Sequence, residues 1–194
     1  MKRFFIWILP LLVACNFGEK GRAIDVNAVK IDAGIVSGKI IGDDDVKLFL
    51  GIPYAAPPLG SLRWKAPQAV LPWQGTRVCV ENPPSAMQAT PKPFMCWSEE
   101  FMAPQEPLSE DCLYLNIWTA PQNDTEKRPV IVWIHGGAFT SGSGTVPLYN
   151  GEALASKGVV FVTINYRLGI WGFLAHPELS AESELGVSGN YGIL

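Results

Sequence analysis

The stretch that decides the fold is Val130-Ile131-Val132-Trp133-Ile134-His135-Gly136-Gly137-Ala138-Phe139. Five consecutive apolar residues predict a strand covered on both faces, since a strand with one wet face would alternate. The glycine pair that follows lets the backbone turn sharply and keeps side chains away from the main-chain N–H groups. Two such groups aimed at one point stabilise an oxygen that is gaining negative charge. A tight glycine turn without a ligand is the plainer alternative, and the flanking sequence has to decide between them.

Downstream, Glu152–Lys157 predicts a short helix stopped by Gly158, and Val159–Ile164 a second buried strand. Upstream, Leu113–Thr119 alternates as a strand with two different faces does. Lys30–Ile41 and Val46–Leu50 predict two strands around the turn Gly42-Asp43-Asp44-Asp45. Residues 51–108 hold most of the prolines and predict a long irregular segment, a form that compact domains reserve for loops that shape a site. Antiparallel-type strands followed by strand–helix–strand indicate the α/β class, with a mixed sheet that becomes parallel.

The 194 residues carry 15 Lys and Arg against 18 Asp and Glu, a formal net charge of −3, with no basic run. That balance argues against a nucleic-acid partner. At 48% hydrophobic and 17% charged residues the chain can bury a core, which excludes global disorder. Two histidines, His135 and His176, exclude a histidine-rich metal site, and Cys15, Cys79, Cys96 and Cys112 never stand in C-x-x-C spacing. At the N-terminus Lys2 and Arg3 precede the apolar run Phe4–Ala14, too short to span a bilayer and suited to a signal-peptide core. The run ends Leu12-Val13-Ala14-Cys15, which resembles a lipoprotein cleavage box. The expected organisation is a signal peptide over 1–14, a lipid-anchored tether over 15–27 starting at lipidated Cys15, and one domain over 28–194. The membrane partner is then reached through the anchor. The location is the cell envelope, the outer membrane where the host has one. A plain secretory signal, with a secreted or periplasmic product, is the alternative.

Further motifs supply the missing context. Gly51-Ile52-Pro53-Tyr54-Ala55-Ala56-Pro57-Pro58 and Gly60-Ser61-Leu62-Arg63-Trp64 resemble the first signature of the type-B carboxylesterase/cholinesterase family. Glu110-Asp111-Cys112-Leu113-Tyr114-Leu115-Asn116-Ile117-Trp118 is similar to its second. Asn165-Tyr166-Arg167-Leu168-Gly169, Gly172-Phe173-Leu174 and Gly189-Asn190-Tyr191-Gly192 follow in the family's order. The resemblance implies the N-terminal part of an α/β-hydrolase fold, with a mixed and mostly parallel sheet that is incomplete in this chain. It implies hydrolysis of small-molecule esters by a Ser-His-acid mechanism with no cofactor or metal. Gly137 and Ala138 become the oxyanion donors and Gly136 the turn-former.

The triad itself is not expected here. That fold needs a G-x-S-x-G elbow, and the nearest string, Gly186-Val187-Ser188-Gly189-Asn190, fails at its last position. In the resembled family the elbow follows Gly-Asn-Tyr-Gly by a short distance, so the nucleophile, and the acid and histidine after it, are expected beyond Leu194. The chain is therefore expected to be the N-terminal portion of an esterase, inactive alone. A non-catalytic cholinesterase-like binding or adhesion protein and a truncated gene remnant are the alternatives. In the family the cysteine at Cys112 closes a disulfide, but the usual partner position, counted from Trp73, falls on Ala86. Cys79–Cys112 is the expected bridge, with Cys96–Cys112 the alternative. The resemblance also implies an ion pair between Arg63 and Glu110. Cholinesterases hold a choline-stacking tryptophan where this chain has Met102, so a quaternary-ammonium site is not implied.

Overall fold

A computed structural model describes residues 28–123 and 125–194. The expected signal peptide, the lipidation site Cys15 and the tether over 15–27 lie outside the described residues. Among those described, the strands are β1 (Val29–Ile31), β2 (Gly34–Ser37), β3 (Lys39–Ile41), β4 (Val46–Pro53), β5 (Thr76–Val78), β6 (Ser85–Ala86), β7 (Leu108–Ser109), β8 (Tyr114–Thr119), β9 (Val130–Ile134) and β10 (Val160–Ile164). The helices are short: α1 (Glu152–Ala155) between β9 and β10, then α2 (Gly169–Phe173) and α3 (Pro177–Glu182). The main sheet runs β3-β4-β8-β10-β9, a smaller one runs β1-β2-β5, and β6 pairs with β7.

Within the main sheet β3/β4, β4/β8 and β8/β10 are antiparallel, and β9/β10 alone is parallel. The expected mixed sheet, antiparallel first and parallel after, is what these residues form. A parallel pair needs a crossover, and within this sheet only the segment carrying α1 supplies one. The segment read as one strand over 30–41 is three. The chain changes sheets at Gly38, where a Cβ would lie 2.3 Å from the carbonyl oxygen of Leu48.

Strand β4 holds the core together because it feeds both faces of the sheet. Val46, Leu48 and Leu50 pack with Trp118, Phe161 and Ala155 of α1. Phe49 and Ile52 turn the other way, onto Val36 and Cys79 beside the small sheet. The spacing changes from two to three between Phe49 and Ile52 because the β4–β8 register shifts there. Gly51 takes φ 75° in that bulge. Its N–H donates to Oδ1 of Asn116 at 2.9 Å, so a buried side chain satisfies the amide that the bulge withdraws from the ladder.

Among the described residues strand β9 is bare: its five residues are 40% to 64% exposed. It is the edge of the sheet, and α1 packs against β8 and β10 rather than over it. The cysteines Cys79, Cys96 and Cys112 are all free thiols. Cys79 lies in the cluster beside the small sheet, whereas Cys112 packs with Ala55, Ala86, Leu113, Tyr166 and Leu168. Cys96 is exposed. Neither the Cys79–Cys112 nor the Cys96–Cys112 bridge forms, because the thiols sit in separate surroundings.

Candidate functional site

Strands β9 and β10 are in register through Ile134 and Ile164, so His135 and Asn165 leave the sheet side by side. That brings Tyr166 to His135. Its ring stacks on the imidazole at 4.4 Å with 15° between planes, and its hydroxyl donates to the His135 carbonyl at 2.8 Å. His135 is buried, and its Nδ1 lies 2.9 Å from the carbonyl oxygen of Gly136. A carbonyl only accepts, so Nδ1 carries the hydrogen and the ring is held as that tautomer. Burial pulls the imidazole pKa below its usual value, with the Gly136 contact opposing. The other nitrogen, Nε2, is buried without a hydrogen-bond partner among the described residues.

These contacts orient the loop through peptide planarity. In a trans peptide the C=O and the following N–H point in opposite directions, so anchoring the carbonyl aims the amide. The His135 carbonyl is held by Tyr166, which aims the N–H of Gly136. The Gly136 carbonyl is held by the His135 ring, which aims the N–H of Gly137. The Gly137 carbonyl accepts from the N–H groups of Thr140 at 3.0 Å and Ser141 at 3.1 Å, and from the Thr140 hydroxyl at 3.1 Å. That aims the N–H of Ala138. Gly136, Gly137 and Ala138 are exposed, and their three N–H groups donate to no protein acceptor among the described residues.

The turn falls one residue later than the sequence suggested. Gly137 has φ 123°, and a Cβ there would lie 1.9 Å from the Ser141 carbonyl oxygen. Gly136, expected as the turn-former, lies outside the left-handed region, and a Cβ there would meet nothing within 4 Å. Ala138 and Phe139 follow in the left-handed region at φ 52° and 63°, a conformation costing roughly 1–2 kcal/mol per non-glycine residue. They are held from outside: Gly169 at the start of α2 donates its N–H to the Phe139 carbonyl at 2.7 Å, and the Phe139 and Phe173 rings meet at 4.8 Å.

Arg63 and Glu110 meet in a two-pronged contact, Nε to Oε2 at 2.5 Å and Nη2 to Oε1 at 2.6 Å. Hydrogen bonding to Glu110, then its charge, raises the Arg63 pKa. The pair joins the two ends of the proline-rich segment. Ser188, in the elbow-like string, bonds the Ser180 hydroxyl at 2.7 Å and the His176 carbonyl at 3.1 Å, not an imidazole. The His176 ring instead accepts from the Glu178 N–H at the start of α3. No hydroxyl or thiol among the described residues hydrogen-bonds to a histidine ring, so no nucleophile–base pair is assembled between residue 28 and Leu194. Leu194 itself, the residue past which the triad is expected, is 70% exposed. The Gly-Asn-Tyr-Gly motif just before it is anchored to the α2 region: Gly192 donates its N–H to the Gly172 carbonyl at 2.8 Å, and Arg167 donates to the Tyr191 carbonyl at 2.7 Å. Sequence reading missed the parts of Tyr166, Thr140 and Ser141. Tyr166 had a usable signal, because two parallel neighbouring strands end together and the residues just after them are neighbours.

Comparison with known proteins matches residues 25–194 to the carboxylesterase family. The chain is 47% identical to the fumonisin B1 esterase of Sphingopyxis macrogoltabida, over 94% of this chain and 33% of that protein. It is 43% identical to acetylcholinesterase-1 of Trittame loki, over 90% of this chain and 32% of that one. For carboxylesterase 3B of Mus musculus the identity is 41%, over 88% and 31% respectively. The chain thus spans about a third of the length of these curated relatives.

Proposed function

Because the chain belongs to the carboxylesterase family, we propose that it is the oxyanion-binding, N-terminal part of a carboxylic-ester hydrolase acting on small-molecule esters. One observation carries this reading: three consecutive peptide units have their carbonyls tied back, leaving the N–H groups of Gly136, Gly137 and Ala138 on an exposed surface. When a nucleophile adds to an ester carbonyl, the oxygen becomes an alkoxide. Donors already fixed toward it need no reorganisation as that charge forms, and one donor is worth ~3 kcal/mol of barrier. Gly137 and Ala138 are the donors, aimed by the His135 ring and by the Thr140–Ser141 turn.

The Ser-His-acid mechanism also needs a nucleophile and a base in mutual contact. Both histidines of the chain are committed elsewhere, His135 to Gly136 and His176 to Glu178. In this proposal the nucleophile, base and acid come from beyond Leu194, outside these 194 residues, and the chain alone does not turn over esters. The same commitment of both histidines favours the second reading, a binding protein without catalysis. An anchor at Cys15, joined through residues 15–27, would hold the domain at a cell-envelope membrane.

The test grafts residues 28–194 in place of the matching part of the Sphingopyxis esterase. The chimera is expected to hydrolyse p-nitrophenyl acetate. Gly137→Ala should lower its kcat by about 10²–10³, the usual effect of losing one donor. Ala138→Gly, which keeps the donor and the backbone angle, should stay within a few-fold. The isolated chain should leave the ester at the buffer rate. Saturable hydrolysis by the isolated chain that a serine-directed phosphonate abolishes, or a chimera indifferent to Gly137→Ala, would overturn the proposal.

A further inference from the structure

We propose that Gln88 is a positioning residue for the donor loop, its side-chain amide clamping both backbone groups of Gly142 and so holding the peptide that aims the Gly137 N–H. Its role in catalysis rests on the oxyanion reading above; the clamp itself is a matter of geometry.

Gln88 stands in the irregular segment between β6 and β7, 54 residues from Gly142. Its Oε1 accepts from the Gly142 N–H at 2.8 Å, and its Nε2 donates to the Gly142 carbonyl at 2.8 Å. A neighbouring strand would engage a residue in the same two-point way, and here one side chain does it. Nε2 also donates to the Ala86 carbonyl at 3.0 Å, which fixes the amide's own orientation. The segment behind it is held in turn. Ser85 donates to the hydroxyl of buried Ser143 at 2.9 Å, and Asn165 donates to the Pro84 carbonyl at 3.0 Å.

The clamp reaches the donors because Gly142 is seated directly on the anchored peptide. At φ 113°, a Cβ on Gly142 would lie 2.3 Å from Nδ1 of His135 and 2.5 Å from the Gly136 carbonyl oxygen. The backbone of residue 142 therefore fills the space beside the His135–Gly136 contact and prevents the Gly136 carbonyl from swinging. That carbonyl and the Gly137 N–H share one rigid plane. An amide is the only uncharged side chain of this length with an acceptor and two donors at its tip. A carboxylate in its place would set negative oxygens against the carbonyls of Gly142 and Ala86.

The test is hydrogen exchange followed by mass spectrometry on the full 194-residue chain, in whatever association state it takes. Gln88→Ala is expected to raise exchange at Thr140, Ser141 and Gly142 about tenfold or more, with β4, β8 and β10 unchanged. Gln88→Glu should do the same at pH 7. At pH 4.5 it should recover part of the protection, because a protonated carboxyl regains one donor. Every Gln88→Glu rate is taken relative to Gln88→Ala at the same pH, so the titration of His135, the ionisable ring beside the clamp, acts on both variants alike. The proposal is overturned by exchange within twofold of the unsubstituted chain for Gln88→Ala. It is equally overturned by a Gln88→Glu effect independent of pH, or by loosening that spreads equally through β4, β8 and β10. Exchange is read without hydrolysis, so failure here leaves the ester proposal standing, and a failed esterase assay leaves the clamp standing.

Discussion

His135 shows how one side chain can orient a loop through a single backbone contact. The ring works only while neutral, because the protonated form would place a second N–H at the buried, unpartnered Nε2. Its pKa in the folded chain is lowered by burial from the usual 6.5. Between that lowered value and 6.5 the unfolded chain binds the extra proton and the folded chain does not. The contribution of the neutral ring is therefore fully present above about pH 6.5 and lost as pH falls below it toward the folded pKa. Exchange protection at Thr140 and Ser141, corrected for the intrinsic rate, should be level from pH 8 to about 6.5 and fall from there to pH 5. His135→Asn should remove that dependence, and protection that rises on acidification would contradict the assignment. The Arg63–Glu110 pair was legible at this scale, since both residues stand inside recognisable motifs. The tautomer of His135 was not, because it depends on a carbonyl whose direction is set by the fold.

Among the elements, the proline-rich segment between β4 and β8 departs most from expectation. It was expected to be closed by a disulfide and is closed instead by an ion pair and by packing. Cys112 is a buried thiol pushed up to about 12, chiefly by desolvation, which leaves it protonated in the folded chain. Ala86 shares its core cluster and lines the same small cavity. Ala86→Cys is therefore expected to form a disulfide with Cys112 under oxidising conditions. Closing that loop should stabilise the fold by about 3.5 kcal/mol on the chain-entropy estimate. Intact-mass measurement should show the loss of two hydrogens, and alkylation at both positions 86 and 112 in the denatured, oxidised sample would refute it. Patterning located β8, β9 and β10, whose apolar runs are uninterrupted or alternate cleanly. It merged β1, β2 and β3 into one strand because Gly38, where the chain changes sheets, looks the same in sequence as a glycine within a strand.

For the molecule as a whole, the exposed strand β9 dominates the solution behaviour expected of this chain. All five of its residues are apolar and at least 40% exposed, and among the described residues its outer backbone edge is unpaired. The opposite edge, β3, is only three residues long and carries Lys39, which blunts it. The 194-residue chain should accordingly self-associate through β9 and bind a hydrophobic dye. Light scattering after gel filtration is expected to give a mass above the 21.2 kDa of one chain. Val132→Lys, placing a charge in the middle of that edge, should shift the population toward the single chain. A monodisperse monomer before any substitution would contradict the prediction.

Local chemistry settles what the sequence determined alone. The apolar runs, the glycine pair after β9 and the order of the motifs identify the α/β class, the exposed glycine loop and the family. Each of these depends on neighbouring residues or on signatures short enough to read directly. The tertiary structure decided which glycine makes the turn, since Gly137 is required by the Ser141 carbonyl packed against it and Gly136 is not. It decided that β9 is an edge, because coverage depends on what lies beside a strand rather than on its composition. It also brought Gln88 and Tyr166 to the loop from 54 and 31 residues away. Contacts of that span arise from the register of parallel strands and the path of an irregular segment, and neither leaves a periodic trace in sequence.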